Sequence, residues 1–416
     1  MLHRWVETMS PAARRAFVLL GIMSAAFGMS MAVQQNVVTN YFEDVLGLAG
    51  PEFGYITAIR EIPGFVLIFL TALFYRMSLP RLTALALVLL AVGYGLFGLS
   101  HSFWTVTPWV IISSMGYHTV LQTQPALGMS LTTAGRAGAV LGRMSAIQNA
   151  GALAAMLFVL VSFREGWLSF RASFVLAGVL ALIGAVAAVL VPNLRDGEEV
   201  QYRPRRDPIV VRRAYRYYYY LSLLDGARQQ IFFSFGLWVL VNHYRLSVPG
   251  ISALLVIVSL ASMLAGPWVG RMIDLRGERD VLGWINVAYI VALLGYALID
   301  NLYLAAACYL VYSLIFPLSA VGAATYLRKV APTEDVAPSL ATGLTLQHAA
   351  AVIVPITAGF ILNFAGYRVP FLIACVFAFC TILVTRRLDP IAQRTTARLA
   401  EEQEAVVALS VSGDAG

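Results

Sequence analysis

Apolar residues occur along this chain in long runs that polar segments separate. Most runs are near or above about 20 residues, which is the length an α-helix needs to cross about 30 Å of hydrocarbon. A β-barrel would instead show segments of about ten residues with alternating polarity. The pattern therefore predicts twelve transmembrane helices, at about 15–40, 52–75, 82–100, 104–130, 137–162, 168–191, 216–243, 249–272, 281–299, 302–327, 338–363 and 368–385.

A long polar segment divides these spans into two sets of six. We therefore predict an N-terminal half at 1–191, a cytoplasmic linker at 192–214, a C-terminal half at 215–386 and a cytoplasmic tail at 387–416. The halves also share sequence features, which suggests an internal duplication. Gln34-Gln35 falls on Gln229-Gln230 at an offset of 195, and Gln148 falls on Gln347 at an offset of 199.

Composition agrees with the membrane interpretation. The chain is 59% apolar and 12% charged, with a net charge of +7, whereas soluble domains are about 45–50% apolar and about 25% charged. With both termini inside the cell, the inner segments hold 22 of the 29 Arg and Lys residues and the outer loops hold 4. This asymmetry predicts both termini on the cytoplasmic side of the cell membrane, so the positive charge does not indicate nucleic acid binding.

A charged glycine motif lies between spans 8 and 9. Its residues are Gly270, Asp274, Arg276, Gly277 and Arg279. The motif resembles the loop signature of the major facilitator superfamily, although Leu275 and Glu278 depart from it. The loop between spans 2 and 3 is the equivalent position in the first half. It keeps its basic residues but lacks the glycine and the aspartate. The resemblance in architecture covers about residues 15–386.

This resemblance implies an all-α membrane protein with two pseudo-symmetric bundles of six transmembrane helices each. It also implies secondary transport by alternating access, with the charged motif acting in a cytoplasmic gate. In the family, spans 1, 4, 7 and 10 line the central cavity, and spans 3, 6, 9 and 12 form the outer support.

Ionisable residues inside the spans are the strongest functional signal. Each charge at the bilayer centre costs roughly 2.5–3.5 kcal/mol, so such residues are seldom kept without a role. Together with two histidines they occupy spans 2, 4, 5, 7 and 11, and avoid the four support spans. They are Arg60, Glu61, His118, Arg143, Asp225, Arg228 and His348.

Two pairs among them are candidates for substrate binding or coupling. Asp225 and Arg228 are three residues apart on one helix face, so they can form an ion pair, either structural or broken during transport. Arg60 and Glu61 are adjacent, so their side chains are expected to point about 100° apart. Glu61 is the first candidate for a protonatable site, and a permanent pair with an arginine is the alternative.

Amide side chains supply further polar candidates. Gln34 and Gln35 in span 1 and Gln229 and Gln230 in span 7 can donate and accept hydrogen bonds to a polar solute, or join helices to one another. The tyrosines between 215 and 220 are interpreted as an interfacial aromatic belt at the start of span 7.

The sequence thus predicts a secondary transporter of a small polar solute, with an anionic one as an option, coupled to protons. Efflux of amphipathic drugs and a non-transporting sensor or assembly factor on the same fold remain alternatives. The expected partners are the solute, protons and the lipid bilayer, and the expected state is a monomer. We expect no enzymatic activity, no cofactor and no metal site.

Overall fold

Helices account for nearly all of the backbone that the structure describes. The structure is a computed structural model that describes residues 11–73, 77–130, 137–192 and 211–394. The α-helices in these ranges are α1 (Pro11–Asn40), α2 (Gly50–Leu73), α3 (Leu79–Phe97), α4 (Phe103–Ser130), α5 (Ala137–Arg164), α6 (Phe170–Val189), α7 (Arg216–Asn242), α8 (Val248–Arg276), α9 (Glu278–Leu298), α10 (Leu302–Val330), α11 (Thr333–Ala365) and α12 (Arg368–Thr385). Twelve helices in order match the twelve predicted spans.

Among the described residues, nine helices are long and apolar enough to cross a membrane. Five of the predicted site residues lie on α2, α4 and α7, namely Arg60, Glu61, His118, Asp225 and Arg228. Ionisable groups within membrane-spanning helices are costly, so they are expected only where they have a role.

The chain forms two compact units, each with its own packing. The first contains the described residues up to 192 together with Leu237–Ser259. Within it α1 packs on α5 and α6, α3 packs on α4 and α6, and α2 packs on α4. The second contains the remaining described residues, and α9 there packs on α10 and α12.

Equivalent glycines allow two helices to approach closely in each unit. A Cβ atom at Gly28 of α1 would overlap the backbone carbonyl oxygen of Gln148 on α5. A Cβ atom at Gly226 of α7 would lie 3.1 Å from the Cα atom of Gln347 on α11. The two glutamines are the pair that matched between the halves in sequence, so the same packing contact recurs in both units.

The α1 helix ends in a π-helical turn, Tyr41–Val45. Tyr41 Oη holds this turn by donating to the carbonyl oxygens of Phe97 and Ser100, at 2.9 and 2.8 Å. The turn places Glu43 where Asn242 at the end of α7 donates a hydrogen bond to its carboxylate. Single π-helical turns are frequent at functional sites, and this one organises polar contacts that the sequence pattern did not indicate.

Candidate functional site

The predicted ion pair on α7 is present and deeply buried. The Arg228 guanidinium donates to Asp225 Oδ1, and the Arg228 side chain has 0% exposure while that of Asp225 has 12%. Because the residues are three apart on a helix, they share a face. The sequence-based pairing is therefore confirmed.

Residues from α9 and α10 complete the surroundings of Arg228. Its Nη1 atom donates to Tyr312 Oη at 2.7 Å, and its Cζ atom lies 3.5 Å from the centre of the Tyr289 ring. Ser319 Oγ lies 3.5 Å from Nη2. A guanidinium stacked on aromatic faces gains cation–π attraction, which is larger where water is excluded. These contacts fix the cation in place.

Sequence reasoning missed these partners. Tyr289, Tyr312 and Ser319 are ordinary residues of apolar spans, and they lie about 60 to 90 residues from Arg228 along the chain. Local spacing contains no signal for such convergence. One signal was present in the sequence: a charged arginine in an apolar span costs free energy, so polar or aromatic partners were to be expected.

A cavity of about 190 Å³ lies beside the ion pair in the second unit. Its polar lining comes from Tyr218, Ser222, Asp225, Ser319, Gln347 and Thr381, and its apolar lining comes from Leu221, Leu282, Ala320, Ala323, Ala324, Leu340 and Leu344. Concave, mainly apolar sites with a few polar groups are the usual form of small-molecule sites. Arg228 is not part of this lining.

Asp225 lines the cavity, and only one of its carboxylate oxygens is bound to Arg228. Oδ1 is bound to Arg228, whereas Oδ2 accepts no hydrogen bond from any residue that the structure describes. A carboxylate oxygen is an acceptor with lone pairs to spare. The cavity therefore presents one strong acceptor that the protein leaves unused.

A second ionisable cluster lies in the first unit, where α2 meets α4. Arg60 Nη2 lies 3.4 Å from Glu61 Oε1, and His118 Nε2 lies 4.0 Å from Glu61 Oε2. Ser114 on α4 donates a hydrogen bond to the Arg60 carbonyl oxygen, one turn before Pro63. The expectation that Arg60 and Glu61 point apart was wrong, because the long arginine side chain reaches its neighbour although their Cβ atoms diverge.

The two clusters differ in how their cations are held. The side chain of Arg60 is 55% exposed, whereas that of Arg228 is fully buried. Glu61 and His118 are largely covered, at 13% and 8%. A change of charge on Glu61 can therefore be compensated by solvent around Arg60, while a change on Asp225 cannot be compensated around Arg228.

The other predicted site residues differ in how far they are buried. Gln35 is exposed, and the half-buried ones are Gln34, Arg143, Gln229, Gln230 and His348. Gln148 instead accepts a hydrogen bond from Gln124, which also donates to Ser24, both at 3.1 Å. This amide pair joins α1, α4 and α5, so part of the predicted polar lining connects helices.

The tyrosines before and within the start of α7 are mostly internal. Tyr215, Tyr218 and Tyr219 are buried, and Tyr218 lines the cavity. Tyr215 Oη donates to Asp335 Oδ2 at 2.7 Å, and Arg212 Nε lies 2.8 Å from the same oxygen. The interpretation of this run as an interfacial belt was wrong for these three residues, because they are buried, with Tyr215 and Tyr218 in contact with Asp335 and Gly343 of α11.

The charged motif contains an ion pair that the resemblance did not indicate. The surroundings of Gly270 and of the Asp274 side chain lie outside what the structure describes. Arg276 and Arg279 are exposed. Gly277 caps α9 with φ of 76°, a left-handed value that favours glycine. The next residue, Glu278, is buried and accepts from Lys329 Nζ of α10 at 2.6 Å.

Replacing Lys329 by methionine is expected to destabilise the protein by about 1–3 kcal/mol, because the Glu278 carboxylate would stay buried without its charged donor. The melting temperature of the purified protein in detergent measures this. Arg328→Met is the matched control, since Arg328 is an exposed neighbour. Equal melting temperatures for the two variants would contradict a stabilising role for the pair.

Comparison with known proteins identifies the fold. The sequence profile of the Major Facilitator Superfamily matches residues 218–412. None of the curated protein sequences is significantly similar to this chain. The sequence evidence for the family thus lies in the second half, which contains the Asp225–Arg228 pair.

Solved structures extend the likeness to the whole chain. A mutant of the nucleoside transporter NupG superimposes with a TM-score of 0.75 at 15% identity, covering 90% of this chain and 99% of that one. A bacterial homologue of the human lysosomal transporter Spinster gives 0.68 at 14%, covering 94% and 98%. A D-xylose–proton symporter gives 0.68 at 14%, covering 90% and 97%. At these identities the likeness concerns the fold alone, and it confirms the predicted fold class.

Proposed function

The chain has the fold of the major facilitator superfamily, and from this premise we propose that it is a secondary transporter of a small polar solute, coupled to protons. Transport would follow alternating access, with the solute exposed to one side of the membrane at a time. The distribution of arginines supports a location in the cell membrane with both termini in the cytoplasm.

The observation that carries this proposal is the Asp225–Arg228 pair beside the cavity. Keeping two charges inside an apolar helix is costly, and a purely structural need could be met more cheaply by apolar residues. Asp225 touches the cavity and offers an unused acceptor. A polar solute group is the natural partner for that oxygen.

Proton coupling is assigned first to Glu61. Its carboxylate lies between a solvated arginine and a histidine, at 3.4 and 4.0 Å. Histidine is the side chain whose charge changes most readily near neutral pH. Tyr117, beside His118 on α4, and Tyr94 are further titratable neighbours of this cluster. The cluster can therefore take up a proton without leaving a buried charge unbalanced.

The solutes named for solved structures of similar fold are compatible with this proposal. Among the similar folds are a nucleoside transporter and a D-xylose–proton symporter, and a peptide transporter gives a TM-score of 0.67 at 16% identity. All three carry small polar solutes by their names. An anionic solute remains an option through Arg60, whose side chain is 55% exposed.

The test is transport in proteoliposomes with and without a pH gradient, using an untargeted comparison of accumulated solutes to find the cargo. For the Glu61→Gln variant we expect accumulation driven by the gradient to fall at least about tenfold, while exchange of solute at equal pH continues. Glu52→Gln serves as control, because Glu52 precedes the cluster by two turns of α2. Unchanged gradient-driven transport by Glu61→Gln would refute the coupling proposal.

A further inference from the structure

The charge balance of the cavity narrows the class of solute, given the proposed transport function. We infer that the cavity beside α7 binds an uncharged part of the solute that donates hydrogen bonds, with Asp225 as the acceptor and Arg228 as its permanent buried counter-ion. The notion of an anion bound by Arg228 does not fit this arrangement.

The first step is that Arg228 stays charged and stays in place. A guanidinium is not deprotonated in proteins, and this one has no exposed surface. It is held by Asp225, by the Tyr312 hydroxyl at 2.7 Å and by the Tyr289 ring at 3.5 Å. A solute in the cavity meets Asp225 and does not meet the cation.

The second step is that the Asp225 carboxylate is the counter-charge of the Arg228 guanidinium. A fully buried cation without a counter-charge is strongly unfavourable, so the pair is kept together. The Oδ1 atom of Asp225 serves Arg228, and its Oδ2 atom is left for the solute. A hydrogen bond from a neutral hydroxyl or amine to an ionised acceptor is stronger than one between neutral groups, so this oxygen selects donors.

The third step concerns net charge. The charges of Asp225 and Arg228 cancel, and the other polar groups of the lining are neutral: Tyr218, Ser222, Ser319, Gln347 and Thr381. A charged solute group would lose its hydration without gaining a net opposite charge. An uncharged hydroxylated or amide-bearing group loses less, and its apolar face can pack on the wall of alanines at 320, 323 and 324.

The volume of the cavity limits the size of the group that it can bind. The cavity has about 190 Å³, below the roughly 300–1,000 Å³ of sites for drug-sized ligands. It therefore fits one ring-sized group of a solute.

The test measures the charge selectivity of the cavity without knowing the solute. In a background where Cys308, Cys375 and Cys380 are replaced by serine or alanine, Ala323→Cys places a thiol on the cavity wall. The purified protein in detergent is treated with three methanethiosulfonates of similar size, which carry a hydroxyl, a sulfonate or a trimethylammonium group. Each rate is divided by the rate of the same reagent with free glutathione.

We expect the hydroxyl reagent to react fastest and the two charged reagents to differ by less than about threefold. In the Asp225→Asn variant the uncompensated Arg228 should favour the anionic reagent roughly tenfold over the cationic one. The double variant Asp225→Asn/Arg228→Gln, which removes both charges, should restore parity even if the single variant folds poorly.

Two results would overturn the inference. One is a tenfold preference of the parent cavity for the sulfonate, which would indicate an anion site. The other is no reaction of the hydroxyl reagent, because an uncharged group of that size must be able to enter. Flux in proteoliposomes is measured separately, so that absence of transport with equal labelling rates refutes the proposed function and leaves the charge assignment intact.

Discussion

Replacing Arg228 by methionine is expected to destabilise this protein by about 3–5 kcal/mol, because the Asp225 carboxylate would remain largely buried without its counter-charge. Tyr312 would also lose the guanidinium that donates to its hydroxyl. The melting temperature of the purified protein and the yield of folded protein in membranes both report this loss.

The double variant Asp225→Asn/Arg228→Met separates charge from packing. It removes the pair together, so it should recover most of the stability that the single variant loses. Arg216→Met is the matched control, since Arg216 is an exposed arginine at the beginning of the same helix. A double variant as unstable as Arg228→Met would show that packing on Tyr289 and Tyr312 dominates instead.

Substituting Gly28 by alanine should destabilise the protein through backbone contact alone. The new Cβ atom would overlap the carbonyl oxygen of Gln148, and a backbone atom cannot move away as a side chain can. Overpacking of this kind costs about 1–3 kcal/mol, and more when the backbone must shift. The measurement is the melting temperature, together with cross-linking between α1 and α5.

Gly21→Ala is the control on the same helix against the same partner. A Cβ atom there would lie 3.5 Å from Ile147 Cδ1, an ordinary contact. We expect this variant to be as stable as the parent, or slightly more stable, because alanine favours helix more than glycine does. Equal losses for both variants would show that the close approach at Gly28 does not determine the result.

The helices could be predicted because a bilayer imposes a length. Runs near 20 apolar residues have few alternatives to a spanning helix, and all twelve predicted spans correspond to helices. The ends differ by up to five residues, as at α11, which begins at Thr333 although its apolar run begins near 338. Polar helix ends carry no hydropathy signal, so the boundaries could not be predicted closely.

The site could be predicted only in part. The Asp225–Arg228 contact follows from spacing on one helix, and it was found from the sequence. The partners Tyr289 and Tyr312 come from other helices, and their approach depends on packing of the whole unit. The Arg60–Glu61 contact was misjudged because backbone geometry constrains Cβ directions but leaves the reach of a long side chain open.

The contacts of Asp335 determine where this polypeptide could be divided for expression. Asp335 is buried at the start of α11 and is satisfied by Arg212 and Tyr215, which precede α7. A separately produced second half that began at Arg216 would contain every one of its helices and still carry an unneutralised buried carboxylate. The shortest self-sufficient fragment must therefore start before Arg212, in a segment that hydropathy alone would assign to a dispensable connection.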